Sequence, residues 1–364
     1  MRVSGPQTVR AEDRECLEPR TGPVHPSRRR SGVPPQDERK RATLASAACA
    51  LAFVCAVASA QSVLVPGKRI DFVVAGGAGG GLDLVGRAFE QAVRDTRTFD
   101  QPIVVLNMGQ GGGNTATSYV QRFKSNPHVL YLNTNRLYLN KLAGTTPLGH
   151  DSVTPLSRLM TEYLVWAVRA DAPFRSARDV LDKLKADPTS VSFAISSIPS
   201  NDQVNIVAAG IAAGVDVKRV RIAAFSTALN SQLLGGHVDA LSTPVSEILP
   251  LVKSGQVRLL SISSPERLSG ELANVPTWRS MGIDVTVLHW RGLFGPPGLS
   301  PNAVTFWENT AALATKTDFW KKALQTYGWY DAYADSAAFR KAMDEEVARS
   351  SRMLGDLGLL KAGK

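Results

Sequence analysis

Short apolar segments alternate with amphipathic segments along the chain from about residue 66 onward. The apolar segments are rich in β-branched residues, which is typical of strands, and the segments between them carry apolar residues at helical spacing. The sequence predicts strands over residues 69–74, 103–106, 129–133, 163–168, 191–195, 220–224, 238–241 and 257–262. Because strands and helices alternate, we expect an α/β fold with a mostly parallel, helix-covered sheet.

Helix signals lie between these strands and dominate the carboxyl-terminal part of the chain. Ser176 and Asp179 form a capping-box pattern before an apolar run, and Gly235, Gly236 and Gly255 mark helix ends. Periodic apolar residues predict three helices in the tail, over residues 301–315, 318–327 and 335–357. Helices are therefore expected both between the strands and after the last of them.

A chain of 364 residues exceeds the usual size of one domain, so two domains are expected. Its 44% hydrophobic content suits globular cores. Turn-rich segments at residues 170–173 and 292–301 predict two crossings between the domains, which would make the first domain discontinuous. We therefore expect a first lobe of residues 61–169 and 290–364 and a second lobe of residues 170–289.

The first sixty residues predict a leader with a cleaved signal peptide. A basic segment ends at Arg41, an apolar, alanine-rich segment follows, and Ala58-Ser59-Ala60 has the small residues that precede a cleavage site. The alternative is a membrane anchor, but spanning a bilayer needs about 20 strongly apolar residues, and this segment is short and alanine-rich. Cleavage after Ala60 and export to the periplasm are therefore predicted.

Composition narrows the chemistry of the mature chain. The formal net charge is +10, but the basic residues after the leader are scattered, which does not favour nucleic-acid binding. All three cysteines precede residue 61, so the mature chain has no disulfide and no thiolate zinc site. The histidines after residue 61 lack metal-ligand spacing; they are His128, His150, His237 and His289. No metal, cofactor or nucleic acid is expected.

A glycine-rich loop, VVAGGAGGGLD over residues 73–83, joins the first predicted strand to a helix. It lacks the lysine of a phosphate-binding P-loop, and Leu82 or Leu84 replaces the third glycine of a dinucleotide-binding loop. Bare amides at a helix start are suited to an anion such as a carboxylate, with Asp83 completing the hydrogen bonds of the loop. The alternative is a tight turn with a purely structural role.

A second glycine-rich loop, NMGQGGGN over residues 107–114, follows the next predicted strand in the same manner. Both loops should then lie at the carboxyl edge of the sheet. Open α/β sheets bind their ligands at that edge, which favours a binding role for the first loop over a structural one.

Five segments occur in an order that resembles a known family. They are the first glycine loop with Asp83, the second loop at residues 107–114, and residues 197–202, 234–239 and 290–296. Together they resemble the TctC-like periplasmic solute receptors of tripartite tricarboxylate transporters, also called Bug receptors. The resemblance covers about residues 66–360.

The resemblance implies a two-lobed, type II-like periplasmic binding protein in which crossing strands join two lobes, each with a mostly parallel sheet flanked by helices. It implies a monomeric receptor without catalysis, which binds a di- or tricarboxylate or a related organic acid between the lobes. Two membrane subunits of a transporter would be its partners. The ligand contacts carried over from the family are Gly79, Gly80, Gly81, Asp83, Asn133, Thr134, Asn135, Ser197, Ser200 and Asn201.

Arg291 has two interpretations. Its guanidinium group is suited to a second carboxylate of the ligand, and it is equally suited to a structural ion pair where the lobes join. The chain also departs from the family after Phe225, where the loop is two residues shorter, and this departure affects which acid is bound.

Two other functions remain open from the sequence. A carboxylate-sensing module for a membrane signalling partner would use the same cleft. A nucleotide-dependent enzyme of Rossmann type would depend on the glycine loops alone, whose spacing does not match its motif.

Overall fold

The computed structural model describes residues 66–225, 228–356, 358, 360 and 361. The predicted signal peptide and its cleavage after Ala60 lie outside these residues, as do Ser226 and Thr227 of the loop after Phe225. None of the helices in the described part of the chain is long and apolar enough to cross a membrane.

Ten strands of the described residues form one sheet. In chain order they are β1 Ile70–Val74, β2 Ile103–Asn107, β3 Val129–Asn133, β4 Thr154–Arg169, β5 Ser192–Ile195, β6 Arg221–Ala224, β7 Ala240–Pro244, β8 Val257–Ile262, β9 Leu288–Gly295 and β10 Tyr330–Ala334. The main path through the sheet runs β2-β1-β3-β9-β4-β7-β5-β6, and both β8 and β10 pair with β4.

Helices follow or connect these strands. They are α1 Gly81–Thr96, α2 Asn114–Gln121, α3 Arg136–Leu142, α4 Ala177–Ala186, α5 Asn201–Ala213, α6 Leu229–Leu234, α7 Val245–Lys253, α8 Pro301–Ala314, α9 Asp318–Tyr327 and α10 Ser336–Asp356. The predicted capping box begins α4, where the Ser176 side chain accepts a hydrogen bond from the Asp179 amide.

The long strand β4 changes partners along its length. From Thr154 to Tyr163 it pairs antiparallel with β9, and from Leu164 onward it pairs with β7 and β8. The strands β1, β2 and β3 are parallel to one another on one side of this change, and β5, β6 and β7 are parallel on the other. The α/β fold with mostly parallel sheets in two lobes is thus confirmed. The lobe boundaries at residues 169 and 289 stay a prediction, while the change of partners lies inside β4.

Apolar cores cover both faces of the sheet on each side of β4. Beside β1 and β3, helices α1, α8 and α9 bury one face, with Phe89, Trp307 and Trp320 fully inside. Beside β5 and β7, Trp166 packs on Phe193 with ring centroids 4.9 Å apart. Burying a large apolar side chain contributes about 1.5–3 kcal/mol, so these layers hold the strand ends in place.

Two of the ten strands are not predicted from the sequence pattern. The predicted strands at residues 129–133 and 257–262 are confirmed to the residue, whereas β9 and β10 are not predicted. The sequence of β9, LHWRGLFG, carries a charge and two glycines, yet six of its eight residues are buried. The charge belongs to Arg291, whose buried side chain pairs with Glu162, a residue far away in the sequence. Because this pairing is not visible in the sequence, the segment has the pattern of an exposed loop.

Candidate functional site

The carboxyl ends of strands from both sides of β4 meet around a cavity of about 190 Å³. From one side, the loop after β1 contributes Gly80 and Gly81, and the segment after β3 contributes Thr134 and Arg136. Pockets for drug-sized ligands measure about 300–1,000 Å³, so this cavity fits a smaller molecule.

Residues at the ends of β5 and β7, and the helices that follow them, line the other side of the cavity. Ser196 and residues 200–202 follow β5, Pro244 ends β7, and Glu247 lies in the first turn of α7. His289 and Arg291 belong to β9, which pairs with β3 and with the first half of β4, and they line the cavity from there. The site therefore sits where open α/β sheets place ligands, outside the carboxyl ends of the strands.

Asp83 fixes the shape of the first glycine loop. Its Oδ2 accepts hydrogen bonds from the Gly79 amide at 2.8 Å and from Arg87 Nε at 3.0 Å, and its Oδ1 accepts one from Asn107 Nδ2 at 3.0 Å. Burial by itself raises the pKa of Asp83, but these hydrogen bonds outweigh burial and lower the pKa below its ordinary value. Gly79 has φ +77°, a conformation that favours glycine.

We expect Asp83→Ala to lower the free energy of unfolding by about 1–3 kcal/mol, because the Gly79 amide and the Asn107 amide lose their acceptor. Arg87→Ala is the matched control, with a much smaller expected loss because its side chain is exposed and solvent screens its ion pair. Urea denaturation at pH 7 measures both variants. The carboxylate contributes fully above pH 3.8, and its contribution is lost as the pH falls through its lower folded pKa. Equal losses in the two variants would contradict this role.

The second glycine loop supports the first. Asn107 donates to the Gly76 carbonyl at 3.2 Å as well as to Asp83. A side chain at Gly109 would place its Cβ only 2.7 Å from the Gly77 nitrogen, so the two loops touch through bare backbone. Residues 107–114 do not line the cavity, so their contribution is to position the loop that does.

The amino terminus of α5 forms the opposite wall. Ser200 caps the helix and accepts a hydrogen bond from the Gln203 amide at 3.3 Å. Asn201 donates through Nδ2 to the Leu288 carbonyl at 2.8 Å, which ties this helix to β9. Asp202 accepts a hydrogen bond from the Ser196 amide at 3.0 Å. These contacts leave the Ser200 hydroxyl hydrogen available to a ligand oxygen.

Arg291 forms a buried ion pair beside the glycine loop. Its Nη2 bonds Glu162 Oε1, and the side chains of Arg291 and Glu162 are 2% and 0% exposed. Within the described part of the chain, the Nε and Nη1 atoms of Arg291 have no hydrogen-bond partner. A Cβ at Gly81 would lie 3.2 Å from Arg291 Nη2, so a glycine there leaves room for the guanidinium group. Arg291 therefore serves the ion pair and keeps donors for a ligand.

Both acidic and basic groups line the cavity. Burial lowers the pKa of Arg136, while the nearby Asp202 and Glu247 raise it. Burial raises the pKa of Asp202, and hydrogen bonds from Ser196 oppose this change. Burial, Arg291 and Arg136 together hold the pKa of His289 well below its ordinary value, so His289 is neutral at pH 7.

Glu247 has a raised pKa. Although its side chain is accessible from the cavity, desolvation by the surrounding protein and repulsion from Asp202 and Glu162 raise its pKa to about 7, against the attraction of Arg291. Among the residues that the structure describes, its Oε2 accepts one long hydrogen bond, 3.4 Å, from Thr243 Oγ1. Glu247 is therefore poised to change charge near neutral pH.

Glu247→Gln is expected to raise the melting temperature at pH 8 and to leave it unchanged at pH 4. The folded protein binds this proton more tightly than an ordinary glutamate, so ionisation of Glu247 costs stability as the pH rises from 4.5 through about 7. Solvent screening limits the gain to about 1–2 °C. Calorimetric scans at the two pH values measure it, with exposed Glu266→Gln as the control. An equal gain at both pH values would contradict the raised pKa.

The predicted contact residues divide into two groups. Those that line the cavity are Gly80, Gly81, Thr134, Ser200, Asn201 and Arg291. Those that do not line it are Gly79, Asp83, Asn133, Asn135 and Ser197. A direct contact from the second group stays a prediction.

Each polar residue of the second group has an internal partner. The Asn133 side chain accepts a hydrogen bond from the Thr134 amide at 2.8 Å. Asn135 donates to Glu346 Oε2 at 2.7 Å, away from this cavity. The Ser197 hydroxyl donates to the Pro199 carbonyl at 3.3 Å. These side chains shape the loops that carry the lining residues.

The sequence interpretation missed four charged or titratable residues of the lining. Arg136, Asp202, Glu247 and His289 come from four separate elements. Two of them could have been predicted from the sequence, because Arg136 and Asp202 each directly follow a residue that is predicted to contact the ligand. Nothing in the spacing of Glu247 or His289 points to the site.

Comparison with known proteins identifies relatives over most of the chain. Residues 87–359 match the family described as tripartite tricarboxylate transporter family receptor. Protein BugT of Bordetella pertussis is 23% identical over 298 residues, which are 80% of this chain and 90% of BugT. A Pseudomonas protein from the tcbD-tcbE intergenic region is 27% identical over 263 residues, 71% of this chain and 77% of that protein.

Solved structures share the fold. A TctC solute binding protein from Polaromonas has a TM-score of 0.66 and 25% identity over 80% of this chain and 100% of its own. MatC from Rhodopseudomonas palustris with bound malate has a TM-score of 0.67 and 22% identity, over 80% and 100%. An R. palustris protein with adipate has a TM-score of 0.72 and 20% identity, over 80% and 98%.

Proposed function

The chain belongs to the tripartite tricarboxylate transporter receptor family, and from that premise we propose that it is a periplasmic solute receptor for a small organic carboxylate. The ligand, a di- or tricarboxylate or a related acid, binds in the 190 Å³ cavity at the strand ends. Two membrane subunits of a tripartite transporter are its proposed partners, and the receptor carries out no catalysis. The malate and adipate bound to two structural neighbours support a carboxylate as the class of ligand.

One observation carries this proposal: unused hydrogen-bond donors for an anion converge on one cavity. The 16-residue helix α1 begins there, and its N-cap Gly80 provides no side-chain cap to the amides of the first turn. Such amides, with the positive end of the helix dipole, bind an anion. Arg291 lines the same cavity, and its buried Nε and Nη1 atoms have no hydrogen-bond partner among the described residues. A carboxylate supplies the oxygen acceptors that both sets of donors require.

Contacts from both sides of β4 would couple binding to a change of shape. The glycine loop and Arg136 belong to the proposed first lobe, and Ser200, Asn201 and Glu247 belong to the proposed second lobe. A carboxylate held by both would favour a closed arrangement of the lobes, which a transporter could distinguish from the open one. The signal peptide predicted before residue 61 supports a periplasmic location.

Isothermal titration calorimetry tests the proposal. The mature chain is titrated with citrate, malate, adipate, aspartate and benzoate, and with NAD as the representative of the nucleotide alternative. We expect at least one acid to bind with a Kd of about 10 μM or lower, and NAD to give no heat of binding. Binding of NAD alone, or no binding of any acid, would contradict the proposed function.

A further inference from the structure

The charges around the cavity do not match those of a strongly anionic ligand. Two guanidinium groups, Arg136 and Arg291, face three carboxylates. One carboxylate, Glu162, is already bonded to Arg291, and its other oxygen accepts a hydrogen bond from the Ser246 hydroxyl. Arg136 is then left with two acidic neighbours, Asp202 and Glu247. With His289 neutral, the cavity has no surplus of positive charge.

The two remaining carboxylates retain acceptor capacity. Asp202 is 1% exposed, and its Oδ2 accepts from the Ser196 amide and hydroxyl, while its Oδ1 has no hydrogen-bond donor among the described residues. Glu247 lines the cavity, and the long hydrogen bond from Thr243 is the one that its side chain accepts within the described part of the chain. A carboxylate placed beside them would meet repulsion, whereas a cationic donor would find two acceptors.

The same cavity also has donors that need an anion. The Nε and Nη1 atoms of Arg291, which is 2% exposed, are buried without a partner in the described part of the chain. The start of α1 lies beside the same guanidinium group and beside Glu247, because a Cβ at Gly81 would lie 3.2 Å from Arg291 Nη2 and 3.4 Å from Glu247 Oε1. Donors and acceptors thus occur together in a volume of about 190 Å³.

We propose that the ligand carries a protonated amine as well as a carboxylate, so that it is an amino acid or another amine-bearing acid and not a tricarboxylate. The carboxylate binds the α1 amides with Arg136 and Arg291, and the ammonium group binds Glu247 and Asp202. This inference rests on the proposed function, since it specifies the substrate class of the same cavity. The raised pKa of Glu247 agrees with it, because a bound ammonium group supplies the positive charge that favours ionised Glu247.

Matched pairs of acids test the inference by titration calorimetry. The pairs are L-alanine with L-lactate, L-aspartate with L-malate and L-glutamate with L-2-hydroxyglutarate, in which a hydroxyl replaces the ammonium group on the same skeleton. Citrate represents the tricarboxylates. In the pair that fits the cavity, we expect the amino acid to bind about 10–100-fold more tightly than the hydroxy acid, because the hydroxyl leaves Glu247 and Asp202 without a charged partner. Citrate is expected to bind more weakly than this amino acid.

Glu247→Gln tests the assigned acceptor directly. The substitution is expected to reduce the preference for the amino acid over its hydroxy partner by about tenfold, since it removes the charge but keeps the shape. Glu266→Gln, on an exposed position away from the cavity, should keep the full preference. The difference between the two variants separates a local contact from a general effect of net charge.

The outcomes distinguish this inference from the proposed function. Tighter binding of a hydroxy acid or of citrate than of any amino acid would overturn the inference and leave the carboxylate receptor standing. If no acid, with or without an amine, gave a heat of binding, both the inference and the proposed function would be overturned. An unchanged preference in Glu247→Gln would overturn the assignment of the ammonium group to this side chain.

Discussion

Gly80→Asp is expected to abolish acid binding while the protein stays folded. Gly80 is the N-cap of α1 and has extended backbone angles, φ −80° and ψ 169°, which aspartate adopts without strain. Aspartate is a preferred N-cap residue, so its carboxylate should accept the first-turn amides and stabilise the helix. Those are the amides that we assign to the ligand, and the new negative charge also repels a bound acid. We expect a loss of affinity of about 100-fold or more.

Gly80→Ala is the matched control for this variant. A Cβ at position 80 meets only the Gly77 carbonyl oxygen, at 3.3 Å, so the loop needs a small adjustment and gains no charge. Affinity for the tightest-binding acid of the panel should then fall much less than in Gly80→Asp, and thermal melting should show both variants folded. If Gly80→Asp bound that acid as tightly as Gly80→Ala does, the carboxylate would have to lie elsewhere.

Arg291→Met is expected to lower the free energy of unfolding by about 3–5 kcal/mol, the cost of leaving one partner of a buried ion pair without its counter-charge. Glu162 is fully buried, and its remaining hydrogen bond comes from the neutral Ser246 hydroxyl. Methionine fills much of the volume of the arginine stem, so the loss reports mainly on charge. Urea denaturation at pH 7 measures the effect.

Adding Glu162→Gln to Arg291→Met separates charge from packing. Glutamine keeps the shape of Glu162 and needs no counter-charge, so the double variant should recover about half of the lost stability or more. Acid binding should stay weak in both variants, because each lacks the guanidinium group. A double variant as unstable as Arg291→Met would show that packing, and not the buried charge, accounts for the loss.

The local patterns in the sequence predicted the fold class and the position of the binding edge. Strand β1, the glycine loop and helix α1 follow one another directly in the sequence. This local pattern is enough to predict backbone amides without side-chain partners at the start of a helix. The role of Asp83 in completing the hydrogen bonds of that loop was also accessible, since the partner Gly79 is four residues away. Contacts between residues so close in sequence can be predicted without knowledge of the tertiary structure.

The other features of the site depend on contacts between residues that are far apart in the chain. The ion pair between Glu162 and Arg291 joins β4 and β9, which are neighbours in the sheet but far apart in the chain. Glu247 reaches the cavity from a helix that no motif connects to either strand. The pKa values and interactions of these charged groups depend on burial, which removes water and brings the groups together. From the sequence, the expected contacts are backbone amides, hydroxyls and side-chain amides, with Asp83 and Arg291 as the charged candidates. The cavity is also lined by Arg136, Asp202 and Glu247.

The most direct test of the account is a crystal structure of the protein with the acid that binds most tightly in the titration panel. We expect the ligand carboxylate to lie within about 3.2 Å of the amides at the start of α1 and of a guanidinium nitrogen of Arg136 or Arg291. A well-defined acid in another cavity, such as the one lined by Tyr138 and Arg349, with the glycine-loop site unbound, would contradict the assignment of the site.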